Sequence, residues 1–323
     1  MNAGRFTLGS MDKDTSNTAK QRQQILRGFA AASCVVVFWS GFNIVSRMGG
    51  KSALTPFDTV ALRFAISGLI MLPFLLRRPF AIPWRQKLGV VLIGGLFYSL
   101  MVYSGFVFAP AAHAGILVNG GIPFAAAMFA WPILGFRPSR PVVLAFSLTA
   151  IGIGLIAVQS LMVAKVSAER WWLGDIFFFF AALSWGLYGV LLRKWQLQAV
   201  DAIAALTVGS AVLYLPVYLL FLPKAIMLVP HDQLLLQGVY QGIIAALGAG
   251  LGYAYATQTI GPIKASLMLA LVPGVSSVMA VPLLGEPLGV TTVLGLLCVT
   301  IGAIWGAVAN APAPARQILD QVK

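Results

Sequence analysis

Apolar residues gather in ten stretches divided by short polar punctuation, at about 27–47, 58–76, 88–108, 113–135, 141–160, 174–192, 203–222, 237–258, 264–285 and 291–310. Each is near the ~20 residues that an α-helix needs to cross a bilayer. The pattern therefore predicts an all-α polytopic membrane protein with ten transmembrane helices. The fourth stretch carries an interruption near its middle, Asn119-Gly120-Gly121-Ile122-Pro123. Pro123 has no N–H to give and the two glycines have no side chain to cover exposed backbone. Such a break is tolerated in lipid only where protein or a water-filled cavity surrounds it, so this helix is expected to line something.

The punctuation repeats. Trp39 precedes Arg47 by eight residues and Trp185 precedes Arg193 by the same eight, while Asp58 stands fifteen before Pro73 as Asp201 does before Pro216. An offset of 150 then pairs Tyr103 with Tyr253, Pro123 with Pro273, Pro132 with Pro282, Gly135 with Gly285 and Gly152 with Gly302. Five spans thus repeat as five. An odd number per unit makes the second copy enter from the opposite side, and inverted repeats are a common plan of secondary transporters. The expected division is a disordered cytoplasmic tail at 1–26, repeats at 27–160 and 174–310, and a cytoplasmic tail at 311–323. The polar residues before the first stretch make a cleavable leader unexpected.

Composition supports the membrane reading: 59% of the 323 residues are hydrophobic and 10% are charged. The net charge of +13 changes the picture only through its placement. With the amino terminus inside, sixteen of the 22 lysines and arginines fall in inner segments and five outside, and Arg63 lies within the second span. Such an excess orients membrane proteins. It argues for both termini in the cytoplasm and against a nucleic-acid partner. Cys34 and Cys298 fall in separate spans, so neither a disulfide framework nor a metal motif is expected.

All nine acidic residues stand in tails, loops or helix ends. Tight proton coupling through a buried carboxylate is therefore disfavoured, because a membrane-embedded acid is costly and kept for function. Asp58, Asp175 and Asp201 open helices and are read as caps, His113 as an interfacial histidine, and Glu286 as an acid bonded to the start of the tenth helix. With His113 and His231 the only histidines, no catalytic triad or metal cluster can be assembled, so neither an enzyme nor a cofactor is expected.

What remains at depth is aromatic and neutral polar: Trp39, Asn43, Tyr98, Tyr103, Asn119, Trp185, Tyr188 and Ser276. Tryptophan and tyrosine ordinarily prefer the interfaces, so at mid-span they point to a cavity wall suited to a planar side chain. The expected ligand is a zwitterion, its carboxylate on Asn119, Gly120 and Gly121 at the start of the lower half-helix and its side chain among Trp39, Tyr98, Tyr103 and Trp185. Pro123 and Pro273 are the expected hinges. The rival reading of Gly120 and Gly121 is close helix crossing. Gly302 with Gly306 offers a small face, a candidate homodimer contact on the tenth helix.

Two pieces carry a resemblance. Pro282-Leu283-Leu284-Gly285-Glu286-Pro287-Leu288 with Leu294-Gly295 and Ile301-Gly302, and Phe38-Trp39-Ser40-Gly41-Phe42-Asn43, resemble the end and the opening of EamA-type domains of the drug/metabolite transporter superfamily. Phe136 departs from the pattern, standing where Glu286 stands in the second repeat. The resemblance implies a two-fold basket in a bacterial inner membrane, with helices 1, 3, 4, 6, 8 and 9 around a central cavity and 5 and 10 outside. The chain is similar to the aromatic amino-acid exporter branch, which implies export of amino acids, aromatic ones included. The alternatives are a multidrug or cation effluxer of the same superfamily and a non-transporting scaffold or receptor.

Overall fold

The computed structural model describes residues 8–77, 82–135, 139–167, 169–260, 268–269, 271–286 and 288–309, and no strand occurs among them. Helices suit stretches this apolar because they satisfy their own peptide groups where lipid offers no partner. In chain order these are α1 (Leu8–Gly50), α2 (Pro56–Arg77), α3 (Trp84–Phe108), α4 (Ala111–Leu134), α5 (Arg140–Ser167), α6 (Trp171–Lys194) and α7 (Ala199–Phe221). A single 3-10 turn, Ile226–Leu228, leads to α8 (231–260), α9 (Val272–Leu284) and α10 (Val290–Ala309).

Eight of these are long and apolar enough to cross a membrane, while α9 and Val290–Gly306 of α10 are apolar but shorter. The ten predicted spans are thus met by eight helices of crossing length and two short ones. Residues 261–267 and 270, at the start of the ninth predicted stretch, lie outside the described residues, as do Phe136, Pro287 and the tail at 311–323. α1 departs from expectation at its other end: it is helical from Leu8, inside the tail for which disorder was expected.

Local chemistry sets the helix ends. Thr55 and Asp58 form a capping box at the start of α2: the Asp58 N–H donates to Thr55 Oγ1 at 3.1 Å and the Thr55 N–H to Asp58 Oδ2 at 2.8 Å. Pro56 fills the first helical position, where a missing N–H costs nothing. At the far ends of α4 and α9, Gly135 and Gly285 adopt left-handed φ values of 69° and 65°, a turn-off that glycine makes without strain. They are 150 residues apart, as the repeat requires.

The packing follows the repeat. α2 lies against α7 and α5 against α10, each helix on its own counterpart. α6 packs on α3 and α4 in the same way that α1 packs on α8 and α9. The glycine face of α10 is taken up inside the chain. A Cβ on Gly302 would fall 2.8 Å from the Ala145 carbonyl oxygen and 2.4 Å from Thr149 Oγ1, and one on Gly295 would fall 3.0 Å from the Gly152 carbonyl oxygen. That face therefore joins α5 within the chain, as a close-packing face. Gly302→Ala is expected to lower stability by about 1–3 kcal/mol, read as a drop in the melting temperature of the detergent-solubilised protein.

Three helices depart from the α pattern. α3 widens to π geometry over Val90–Phe97 and α8 over Tyr240–Gly248, again in step at the repeat offset. α4 does so over Gly115–Asn119, immediately before the predicted break. The break is accordingly a wide turn rather than an unwound gap. The Gly120 N–H donates to the Gly115 carbonyl at 3.2 Å, and the α stretch Gly121–Leu134 resumes at once.

Candidate functional site

The predicted aromatic residues separate into distinct groups. Trp185 on α6 stands between Tyr98 on α3 and Tyr188 one turn along, with ring centroids 4.5 and 5.0 Å away. Tyr98 and Tyr188 are buried and Trp185 is half-buried. Gly94 fits beneath this group, since a Cβ there would meet the Tyr188 ring at 2.5 Å. Trp39 is paired instead with Tyr253 of the other repeat, 5.9 Å between centroids. Tyr103 joins neither group and belongs to the polar network below.

The residues expected around the break divide further. Gly120 is packed: a Cβ would fall 2.1 Å from Val299 Cγ1 and 2.4 Å from the Ile116 carbonyl oxygen. Gly121 faces Ala182 of α6. Both therefore serve close helix approach, against α10 and α6, and the Gly120 N–H is already engaged. Asn119 is half-buried. Ser276 is fully buried where α9 meets Gly115 of α4, its hydroxyl donating to the Pro273 carbonyl at 3.2 Å. Pro123 and Pro273 each stand in the first turn of an α stretch, Pro123 exposed and Pro273 buried.

The outer end, on the expected topology, holds the acids. Glu286 accepts from Arg47 Nε at 2.8 Å and from the Ala111 N–H at 2.9 Å, with Lys51 Nζ at 3.2 Å. Arg47 also donates to the Phe106 carbonyl at 2.6 Å. Rather than bonding to the start of α10, Glu286 ties the α9–α10 turn to α1, α3 and α4. Asp175 was expected as a cap, yet it meets His113 Nδ1 at 2.8 Å; His113, in the first turn of α4, is hydrogen-bonded as expected and fully buried in the protein, its ring edge-on to Trp171. Asp58 does cap α2 and in addition accepts from Tyr218 Oη at 2.6 Å and from the Ala225 N–H. Among the described residues, no three His, Cys, Asp or Glu side chains gather to hold a metal ion.

Sequence reasoning passed over Arg63. It was set aside as the one basic residue inside a span, and it is only 6% exposed. Its Nη1 donates to Tyr103 Oη at 3.3 Å and its guanidinium carbon lies 6.0 Å from the centre of the Phe42 ring. Tyr103 gives its own proton to Gln241 Oε1 at 2.9 Å; the Gln241 amide donates to Ser46 Oγ and Gln237 Oε1, and Gln237 donates to the Val45 carbonyl. Arg63 Nε and Asn43 Nδ2 have no partner, and no carboxylate pairs with Arg63 among the described residues. A guanidinium at the centre of a membrane helix costs ~2.5–3.5 kcal/mol on insertion scales, and such residues are kept for function.

Helices paired across two copies of one pattern, with aromatic and polar clusters at mid-span, define a polytopic protein of the carrier kind. The EamA-like transporter family model matches residues 26–158 and again 172–306. The chain belongs to the EamA-like transporter family of the drug/metabolite transporter superfamily, and membership of a transporter family implies a non-enzymatic role. It is 26% identical over 311 residues to the "Aromatic amino acid exporter YddG" of Ancylobacter novellus, covering 90% of this chain and 98% of that protein. It is 22% identical over 287 residues to an "Uncharacterized transporter" of Clostridium kluyveri, covering 86% and 92%. A solved crystal structure with 21% sequence identity overlays with a TM-score of 0.56, covering 88% of this chain and 95% of that one, a likeness of fold.

Proposed function

We propose that this chain exports amino acids, aromatic ones included, across a bacterial inner membrane by alternating access. It does so as ten spans in two inverted repeats, with both termini in the cytoplasm. The observation that carries the substrate class is the half-buried Trp185, held between Tyr98 and Tyr188 near mid-span. Offset aromatic rings present a flat apolar wall whose edges suit another ring. The distant likeness to an exporter of aromatic amino acids supports the same class. A cation effluxer fits less well, because Arg63 would oppose a cationic substrate while a carboxylate would suit it.

α1 and α6 are the counterparts that carry Trp39 and Trp185, and each packs on two helices of the other repeat, α1 on α8 and α9 and α6 on α3 and α4. Inverted repeats are a usual frame of alternating access. The Arg47–Glu286 pair, which ties α1 to the α9–α10 turn, suits a latch on the outer end in this reading. Proteoliposomes containing the purified protein are expected to take up radiolabelled phenylalanine and tryptophan in counterflow, with tetraphenylphosphonium excluded. Absence of any amino-acid flux would remove this reading, and accumulation driven by a pH gradient would show that a carboxylate or histidine does couple protons.

A further inference from the structure

We infer that Arg63 is the carboxylate-binding residue of the carrier; this rests on the amino-acid reading above. The direction of the hydrogen bonds is what assigns the role. Because Tyr103 spends its proton on Gln241 Oε1, the phenol can only accept from Arg63. The Gln241–Gln237 chain in turn anchors that tyrosine to α1 at Ser46 and the Val45 carbonyl. The network therefore aims the guanidinium without neutralising it. The buried acids at the same end of the molecule are engaged elsewhere: Glu286 with Arg47 and Lys51, Asp175 with His113, and Asp58 with Thr55 and Tyr218.

A guanidinium has five N–H donors in a planar fork that matches the two oxygens of a carboxylate. Here one bond, at the long distance of 3.3 Å, is made to a neutral oxygen, and Nε makes none. Arg63 stands seven residues on from the start of α2 at Pro56, which at ~1.5 Å per residue places it about 10 Å along the helix from that end. The Arg63 Nε is thus buried and without a hydrogen-bond partner among the described residues, and the guanidinium charge is the sign that an amino acid's carboxylate needs.

The test compares phenylalanine, phenylalaninamide and phenethylamine in proteoliposomes of the full chain. Wild type is expected to favour phenylalanine about tenfold or more over the two ligands that lack a carboxylate, the scale of one lost charged hydrogen bond. Arg63→Gln should lower phenylalanine flux at least ~10-fold and abolish that preference, while flux of phenylalaninamide changes less than about twofold. Arg63→Lys, which keeps the charge but not the fork, should raise KM for phenylalanine with kcat little changed. It also decides the matter should Arg63→Gln fail to insert. Equal flux of all three ligands in wild type, or an unchanged KM and preference in Arg63→Lys, overturns the inference while leaving the exporter standing. No flux of any of them in wild type overturns both.

Discussion

Trp185→Ala is expected to cut the flux of tryptophan and phenylalanine by at least ~10-fold with a normal amount of protein in the membrane. Two ring contacts are lost, to Tyr98 and Tyr188. Those contacts hold the indole in place, and a ligand ring packed on it gains about 0.5–1.5 kcal/mol beyond the area it buries, on the scale of the 1.4 kcal/mol of a decade in rate. Trp185→Phe should recover much of the flux, because a ring still spans the gap between the tyrosines. Trp131→Ala on α4, a tryptophan that is 62% exposed, serves as the comparison and should leave flux unaltered. If Trp185→Ala and Asn119→Leu both transported at the wild-type rate, the aromatic wall and the break would have no part in substrate handling.

Glu286→Gln is expected to open the outer end. The substitution keeps an acceptor for the Ala111 N–H but removes the charge that faces Arg47 at 2.8 Å, where both side chains are 10% exposed. Removing one partner of a buried pair costs about 3–5 kcal/mol. The second cation, Lys51, is 43% exposed at its side chain and adds little, within the ~0–1 kcal/mol of a solvated pair. On the alternating-access reading the Arg47 bond joins α1 to the α9–α10 turn in the state shut to the outside and not in the open one, so its loss falls on the closed state. The open state should gain population by about 100-fold or more. A cysteine introduced at Ala280, fully buried against Ile44 and Ala111, reports this once Cys34 and Cys298 are replaced. A membrane-impermeant maleimide added outside should label it far faster in Glu286→Gln than in the parent, and equal labelling rates would dismiss the ion pair as a latch.

Much of this architecture could be read from residue spacing, because the features that set it are local. Crossing length is a matter of apolar run, and the repeat is written in glycines and prolines such as Gly135 and Gly285 that end helices wherever they occur. Tryptophan at mid-span is likewise legible one helix at a time. What escaped depends on partners far along the chain. Glu286 was assigned to its own neighbourhood, but its cation lies 239 residues away. Asp175 looks like a cap by position and becomes a histidine partner only when α4 and α6 are brought together. Arg63 was visible as a residue, yet a buried arginine is usually paired, and only the folded arrangement shows that the nearest acids are spoken for. The π stretches have no residue signature: Val90–Phe97 and Tyr240–Gly248 are as good an α sequence as their flanks.

Those two wide turns also share a setting. Each π turn houses one residue more than an α turn would, and the two stand at the same register 150 residues apart. The wide turn of α3 packs on α6 and α7, and that of α8 on their counterparts α1 and α2. Peptide groups loosened by the wider turn are therefore enclosed by protein in both halves, which is where a bilayer tolerates irregular backbone.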